Sequence, residues 1–150
     1  MTSYLIDINV WIVVTWDRHA HHLIATRWWN SRVEDCAFFL CRFTMLGFLR
    51  LLTTRQIMGE RTMVVADALK IYDRLFDDSR VQFRQEPIRI GRAIRSALEP
   101  VKEQAAPKAI SDCYLIAFAK TSNAYLVTMD KALAGIGQQR GIGVEFLAIE

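Results

Sequence analysis

The chain has 150 residues, 52% of them hydrophobic and 23% charged; these are the proportions of an ordinary soluble globular protein, and the length suits one domain spanning 1–150. No apolar stretch reaches the roughly 18 residues of a membrane span, which excludes a transmembrane protein of that kind. The net charge of +3 favours a polyanionic partner only weakly. Arginines concentrate in the middle of the chain and lysines are few; arginine's planar fork suits phosphate groups. Cys36, Cys41 and Cys113 are odd in number and show no CxxC or Cys/His spacing. That argues against a disulfide framework or structural zinc and fits a reducing cytoplasm. The N-terminus lacks a basic leader, and Asp7 interrupts its apolar run, so no signal peptide is expected.

In chain order, residues 3–7 read as a strand and 8–15 as a short helix. Ala20 to Ser31 fits a helix with Ala20, Leu23, Ile24 and Trp28 on its apolar face. Cys36 to Leu40 reads as a buried strand. Arg42 to Thr53 reads as an apolar helix, and Arg55 to Arg61, with Gly59, as a loop. From Thr62, the spacing of Val65, Leu69, Tyr72, Leu75 and Phe76 is helical. Val81 to Phe83 is a short strand, and Ile88 to Leu98 a helix that Pro100 should stop. Pro107 to Lys120 is a further helix and Tyr125 to Thr128 a strand. Gly135, Gly137, Gly141 and Gly143 mark a turn-rich stretch before a last strand, Val144 to Leu147. Strands alternating with helices predict an α/β sandwich around a mostly parallel sheet.

Three carboxylates stand where carboxylates are costly. Asp7 ends the run Tyr4-Leu5-Ile6, Asp130 follows Tyr125-Leu126-Val127, and Asp112 opens an apolar helical run. Each alone has a structural reading: Asp7 as a helix cap, Asp112 as a first-turn acid facing the helix dipole, Asp130 as a turn residue or cap. Ligands of parallel sheets bind at the carboxyl ends of strands, where all three can meet. Together they would hold a hard divalent cation, Mg²⁺ or Mn²⁺, against a phosphodiester.

These residues carry a resemblance. Leu5-Ile6-Asp7-Ile8-Asn9-Val10-Trp11-Ile12 resembles the opening of PIN-domain nucleases, and Gly47-Phe48-Leu49-Arg50-Leu51-Leu52-Thr53 a segment of VapC-type toxins. Ile110-Ser111-Asp112-Cys113-Tyr114-Leu115-Ile116-Ala117-Phe118-Ala119 is similar to their acidic helix, and Leu126-Val127-Thr128-Met129-Asp130-Lys131 to their closing motif. The motifs run in order over essentially the whole chain. The resemblance implies a PIN-like three-layer α/β/α sandwich and a Mg²⁺- or Mn²⁺-dependent endoribonuclease. It further implies the toxin of a type II toxin–antitoxin pair, neutralised by a cognate antitoxin and commonly a homodimer. On the matching positions Asp7 and Asp112 would be principal metal ligands, and Asp130 would complete the centre directly or through water. Asn9 would orient Asp7 or a metal-bound water, and Thr128 would support the pocket.

One departure concerns a Glu that many members carry early in the helix after the second strand. The alignment places Met45 there, a poor Mg²⁺ ligand, and predicts that Met45→Glu strengthens metal binding. Other residues have competing readings. His19, His21 and His22 read as a solvated helix start rather than a metal cluster. Trp28 and Trp29 pack in the core or stack bases. Arg42, Arg50 and Arg55 contact phosphate, or Arg50 pairs with a carboxylate. Cys113 is a small packing residue. Two rival functions stay open: a PIN fold kept as an RNA- or partner-binding module with an impaired centre, and a haloacid-dehalogenase-like phosphatase with Asp7 as nucleophile. The phosphatase class wants a second Asp where Asn9 stands.

Overall fold

The computed structural model describes residues 1–17, 19–32 and 35–148. In chain order, β1 (Thr2–Ile6) leads into α1 (Ile8–Thr15), α2 (His22–Ser31) and β2 (Cys36–Leu40). Then come α3 (Arg42–Leu52), the single turn α4 (Arg55–Met58), α5 (Val65–Leu75) and β3 (Val81–Phe83). α6 (Ile90–Leu98), α7 (Pro107–Thr121), β4 (Tyr125–Thr128), α8 (Lys131–Gln139) and β5 (Val144–Phe146) follow. The strands form one sheet in the order β3-β2-β1-β4-β5, and every pairing is parallel.

Parallel pairing requires crossovers, and here helices cover both faces of the sheet. Side-chain alternation divides the strands between two apolar clusters. Tyr4, Ile6, Phe38, Leu40 and Val127 face α1, α2, α3 and α5. Leu5, Ala37, Phe39 and Leu126 face α7 and α8. The result is the expected three-layer α/β/α sandwich. Phe38 and Phe39 are wholly buried on opposite faces, and burying each contributes about 2–3 kcal/mol. All five β2 residues are buried, which is why that strand reads as an unbroken apolar run.

The connectivity creates a place for a site. From β1 the chain builds outward through β2 to β3, then returns to the other side of β1 for β4 and β5. The direction of winding therefore reverses between β1 and β4, and at such a point the strand ends diverge and leave a crevice.

Several elements differ from the sequence expectation. β1 stops at Ile6, because the Asp7 side chain accepts the Ile8 N–H and caps α1. α2 begins at His22, and its buried residues are Ala25 and Trp28, while Leu23 is exposed; only a narrow stripe of this helix meets the core. Residues 55–61 are a helical turn and a tighter 3₁₀ turn rather than a plain loop, with Gly59 at φ 57° between them. The predicted glycine-rich turn is in part α8. Asp130 caps its first turn, and a Cβ on Gly137 would lie 3.0 Å from Val144 Cγ2 and 3.3 Å from Ile142 Cδ1. Gly137 thus lets the helix lie close on the segment leading into β5, at the modest helix cost of a glycine.

Candidate active site

Asp7, Asn9, Asp112 and Asp130 line one cavity of about 290 Å³ at the carboxyl edge of the sheet, together with Ser111 and Arg50. Three different elements deliver the carboxylates. Asp7 leaves β1, Asp130 leaves the neighbouring β4, and Asp112 lies in the second turn of α7. Asp7 and Asp112 are buried, at 7% and 8% exposure, and Asp130 is half-buried.

Asp7 and Asp130 are caps and cavity acids at once. Asp7 Oδ1 accepts from Ile8 N at 2.8 Å, and Oδ2 accepts from the Thr128 hydroxyl at 2.8 Å. That hydroxyl in turn accepts from Asp130 N at 3.0 Å. Thr128 is fully buried and so ties the two strand ends together through one oxygen. Asp130 Oδ1 accepts from Ala132 N at 2.9 Å and Leu133 N at 3.2 Å. Its Oδ2 accepts from Lys108 Nζ at 2.7 Å. The same ammonium lies 3.9 Å from Asp112 Oδ2, one turn further along α7.

The three acids are tuned apart. Burial pushes the Asp7 carboxyl up; hydrogen bonds from Thr128 and Ile8 oppose the rise, and Asp130 and Asp112 add to it. Burial also pushes Asp112 up, with Lys108 opposing and Asp130 adding. Asp130 would rise by burial, yet the hydrogen bonds from Lys108, Leu133 and Ala132 outweigh that and leave it below the ordinary carboxylate value. Asp7 and Asp112 therefore carry negative charge that the protein compensates incompletely, which is the condition that favours a bound cation. Among the described residues, no three acidic, histidine or cysteine side chains stand close enough to enclose an ion as they are.

The predicted accessory residues fall unevenly. Asn9, in the first turn of α1, lines the cavity and is exposed. Thr128 is below the floor rather than on it. Arg50 reaches the cavity wall and, among the described residues, makes no ion pair with a carboxylate. Arg42 instead covers the Phe83 ring at 4.6 Å. His22 Nδ1 is 2.7 Å from Val13 O, so this histidine pins α2 to α1. Trp28 is buried and Trp29 donates to Asp78 Oδ2 at 3.0 Å, which gives both a packing role. Cys113 is buried against the Ala97 carbonyl.

Met45 is a correction. It is not a cavity residue; it packs on the cluster between the sheet and α1, α2 and α5. The residues of α3 that do line the cavity are Phe43, Gly47, Arg50 and Leu51. Met45 is about 200° around the helix from Phe43, and its sulfur lies 2.8 Å from Arg42 Nη1, so a carboxylate placed there would meet that guanidinium and not the cavity. The helix phase is set at its start, where Cys41 N donates to Thr44 Oγ1 at 2.9 Å in a capping box. Lys108, which pairs with two of the acids, and Gly47 in the cavity wall are residues that the sequence reading did not assign to the site. The i,i+4 spacing of Lys108 and Asp112 on one helix was the available signal for the first.

The profile of the PIN domain family matches residues 4–138. The chain is 32% identical over 148 residues to ribonuclease VapC41 of Mycobacterium tuberculosis, covering 96% of this chain and 98% of that protein. It is 23% identical over 144 residues to ribonuclease VapC38 of the same organism, covering 91% of each. Among solved structures, VapBC-1 of nontypeable Haemophilus influenzae superposes with a TM-score of 0.72 at 15% identity, covering 97% of this chain and 98% of the other. M. tuberculosis VapC20, described as a sarcin-ricin loop cleaving toxin, superposes with a TM-score of 0.63 at 16% identity, covering 93% and 95%. At these identities the two structures speak for the fold.

Proposed function

Since the chain belongs to the PIN domain family, in its VapC ribonuclease branch, we propose that it is a divalent-metal-dependent endoribonuclease acting as the toxin of a toxin–antitoxin pair. The observation that carries the reading is the delivery of Asp7, Asp112 and Asp130 to one cavity by β1, α7 and β4. An all-oxygen donor set with partly uncompensated charge fits Mg²⁺ or Mn²⁺. Three carboxylates would leave coordination positions for water, which Mg²⁺ characteristically retains. Asp7 and Asp112 would be the principal ligands and Asp130 the third.

When bound, the ion supplies charge stabilisation at the phosphoryl oxygens and a water of lowered pKa. The chain's own residues do the rest. Asp7 is held in one orientation by Thr128 and Ile8, so its carboxylate needs no reorganisation on binding. Asn9, exposed in the cavity lining, would orient a water, and Arg50 would meet a phosphate. A cognate antitoxin, a homodimer and a cytoplasmic location belong to the same proposal. No helix among the described residues is long and apolar enough to cross a membrane.

The test is cleavage of a defined RNA by the purified protein with Mg²⁺ or Mn²⁺. Asp7→Asn should abolish cleavage while the circular dichroism spectrum stays native. Full activity in that variant, or undiminished activity in EDTA, would sink the mechanism. Family membership displaces the phosphatase reading. Mn²⁺ binding without RNA cleavage would select the other reading, a PIN fold kept as an RNA- or partner-binding module.

A further inference from the structure

Asp130 has one carboxylate oxygen committed to capping α8, where two backbone N–H groups hold Oδ1. The other, Oδ2, is held by Lys108 at 2.7 Å. A cation can therefore reach Asp130 readily only through the oxygen that the lysine already occupies. Lys108 also stands 3.9 Å from Asp112 Oδ2, so a single ammonium serves two of the three acids. Its side chain is 63% exposed, and its helix anchors it at the rim of the cavity. Swinging outward costs it both ion pairs, to Asp130 and to Asp112, and leaves the ammonium in solvent beside the cavity.

We infer that Lys108 is a tethered counter-cation of the metal-free protein, exchanged for the divalent ion on binding and passed to an RNA phosphate. The inference rests on the metal-dependent reading of the same cavity. An ammonium and a divalent ion compete for the same oxygens, so the lysine weakens metal binding when RNA is absent. Once displaced, it remains at the rim as a point charge for a non-bridging phosphate oxygen. RNA then relieves the cost of the exchange, and metal and RNA each favour the other's binding. Lys108 on this view is a positioning residue that sets when the centre loads.

The experiment compares wild type with Lys108→Met. Calorimetric Mn²⁺ titration without RNA should show binding roughly three- to tenfold tighter in the variant, the scale of one partly exposed ion pair. The KM for RNA should rise by a similar factor, the opposite direction. A lysine that merely braced the fold would weaken both. Thermal melting of the metal-free variant should show a lower Tm that added Mn²⁺ restores, because the bare acids repel. Unchanged or weaker Mn²⁺ binding in Lys108→Met, or an unchanged KM, would overturn the exchange while leaving the metal reading standing. If neither protein binds Mn²⁺, the metal reading falls and this inference with it.

Discussion

At the scale of single residues, Thr128 bears most on the geometry of the centre. Its hydroxyl donates to Asp7 Oδ2 and accepts from Asp130 N, so removing it strips partners from two acids at once. Thr128→Val keeps the shape and deletes the oxygen; we expect a loss of about 2 kcal/mol in urea unfolding, since the orphaned groups are largely buried. The drop in kcat should exceed any change in KM, while Thr128→Ser should recover most of both. Equal effects of the two substitutions would mean that volume, and not the hydroxyl, matters here. Asp7, Asp112 and Asp130 were legible in the sequence because a carboxylate ending an apolar strand or opening an apolar helix is costly and needs a reason. Lys108 was not, since a lysine in a helix's first turn is unremarkable and its main partner, Asp130, lies 22 positions away. Met45 was misjudged because the phase of α3 depends on a cap at Cys41 that involves no residue type ordinarily read as a cap.

At the scale of elements, α3 presents a glycine to the cavity where a larger side chain could stand. A Cβ on Gly47 would fall 2.2 Å from Ile8 Cδ1 and 3.0 Å from its Cγ1. Alanine gains about 1 kcal/mol of helix propensity there, and the clash involves the tip of an isoleucine that can rotate, at a cost on the same order. Gly47→Ala should therefore change stability by less than about 1 kcal/mol in denaturant unfolding. Activity should fall more than stability, because Ile8 and Gly47 share the wall beside Asp7. A large destabilisation with unchanged turnover would show that Ile8 cannot move. Strands β2, β3 and β4 have the bounds that the sequence predicted; for β2 and β4 the reason is burial in the middle of a parallel sheet, which leaves a plain apolar signature. α8 was missed for the converse reason: Gly137 serves close packing on the approach to β5, a tertiary requirement that local propensity does not reveal.

At the scale of the molecule, acid acts on the fold in two opposing ways. Asp78 just before β3 accepts from Arg80 and from Trp29 of α2, and this clamp joins the sheet's edge to a helix. The arginine beside it holds the Asp78 carboxyl down to about 2, from an ordinary 3.8. Its stabilisation, about 2 kcal/mol, is present above the ordinary value and lost as pH falls from about 4 through 2. Asp7 has the opposite sign: burial raises its pKa, so its ionised form opposes folding and stability is gained as pH falls through the raised value. Asp78→Asn should then lower Tm at pH 7 and converge with wild type near pH 2. Asp7→Asn, although expected to be inactive, should melt ~2–4 °C higher than wild type at pH 7. Thermal melts of both variants across pH check the two signs, and a lower Tm in Asp7→Asn would contradict the burial argument.

The bond between Thr128 and Asp7 spans 121 positions of sequence, and β4 pairs directly with β1. The first strand therefore waits for one of its two neighbours until residues 125–128 have left the ribosome. A nascent chain that has exposed Asp7 and Asp112 still lacks the oxygen that aims one acid, and the third acid as well. If the acids act on RNA as proposed, this order of assembly would keep the centre incomplete, amid the RNA of the translating ribosome, until Asp130 has been made and β4 has joined β1.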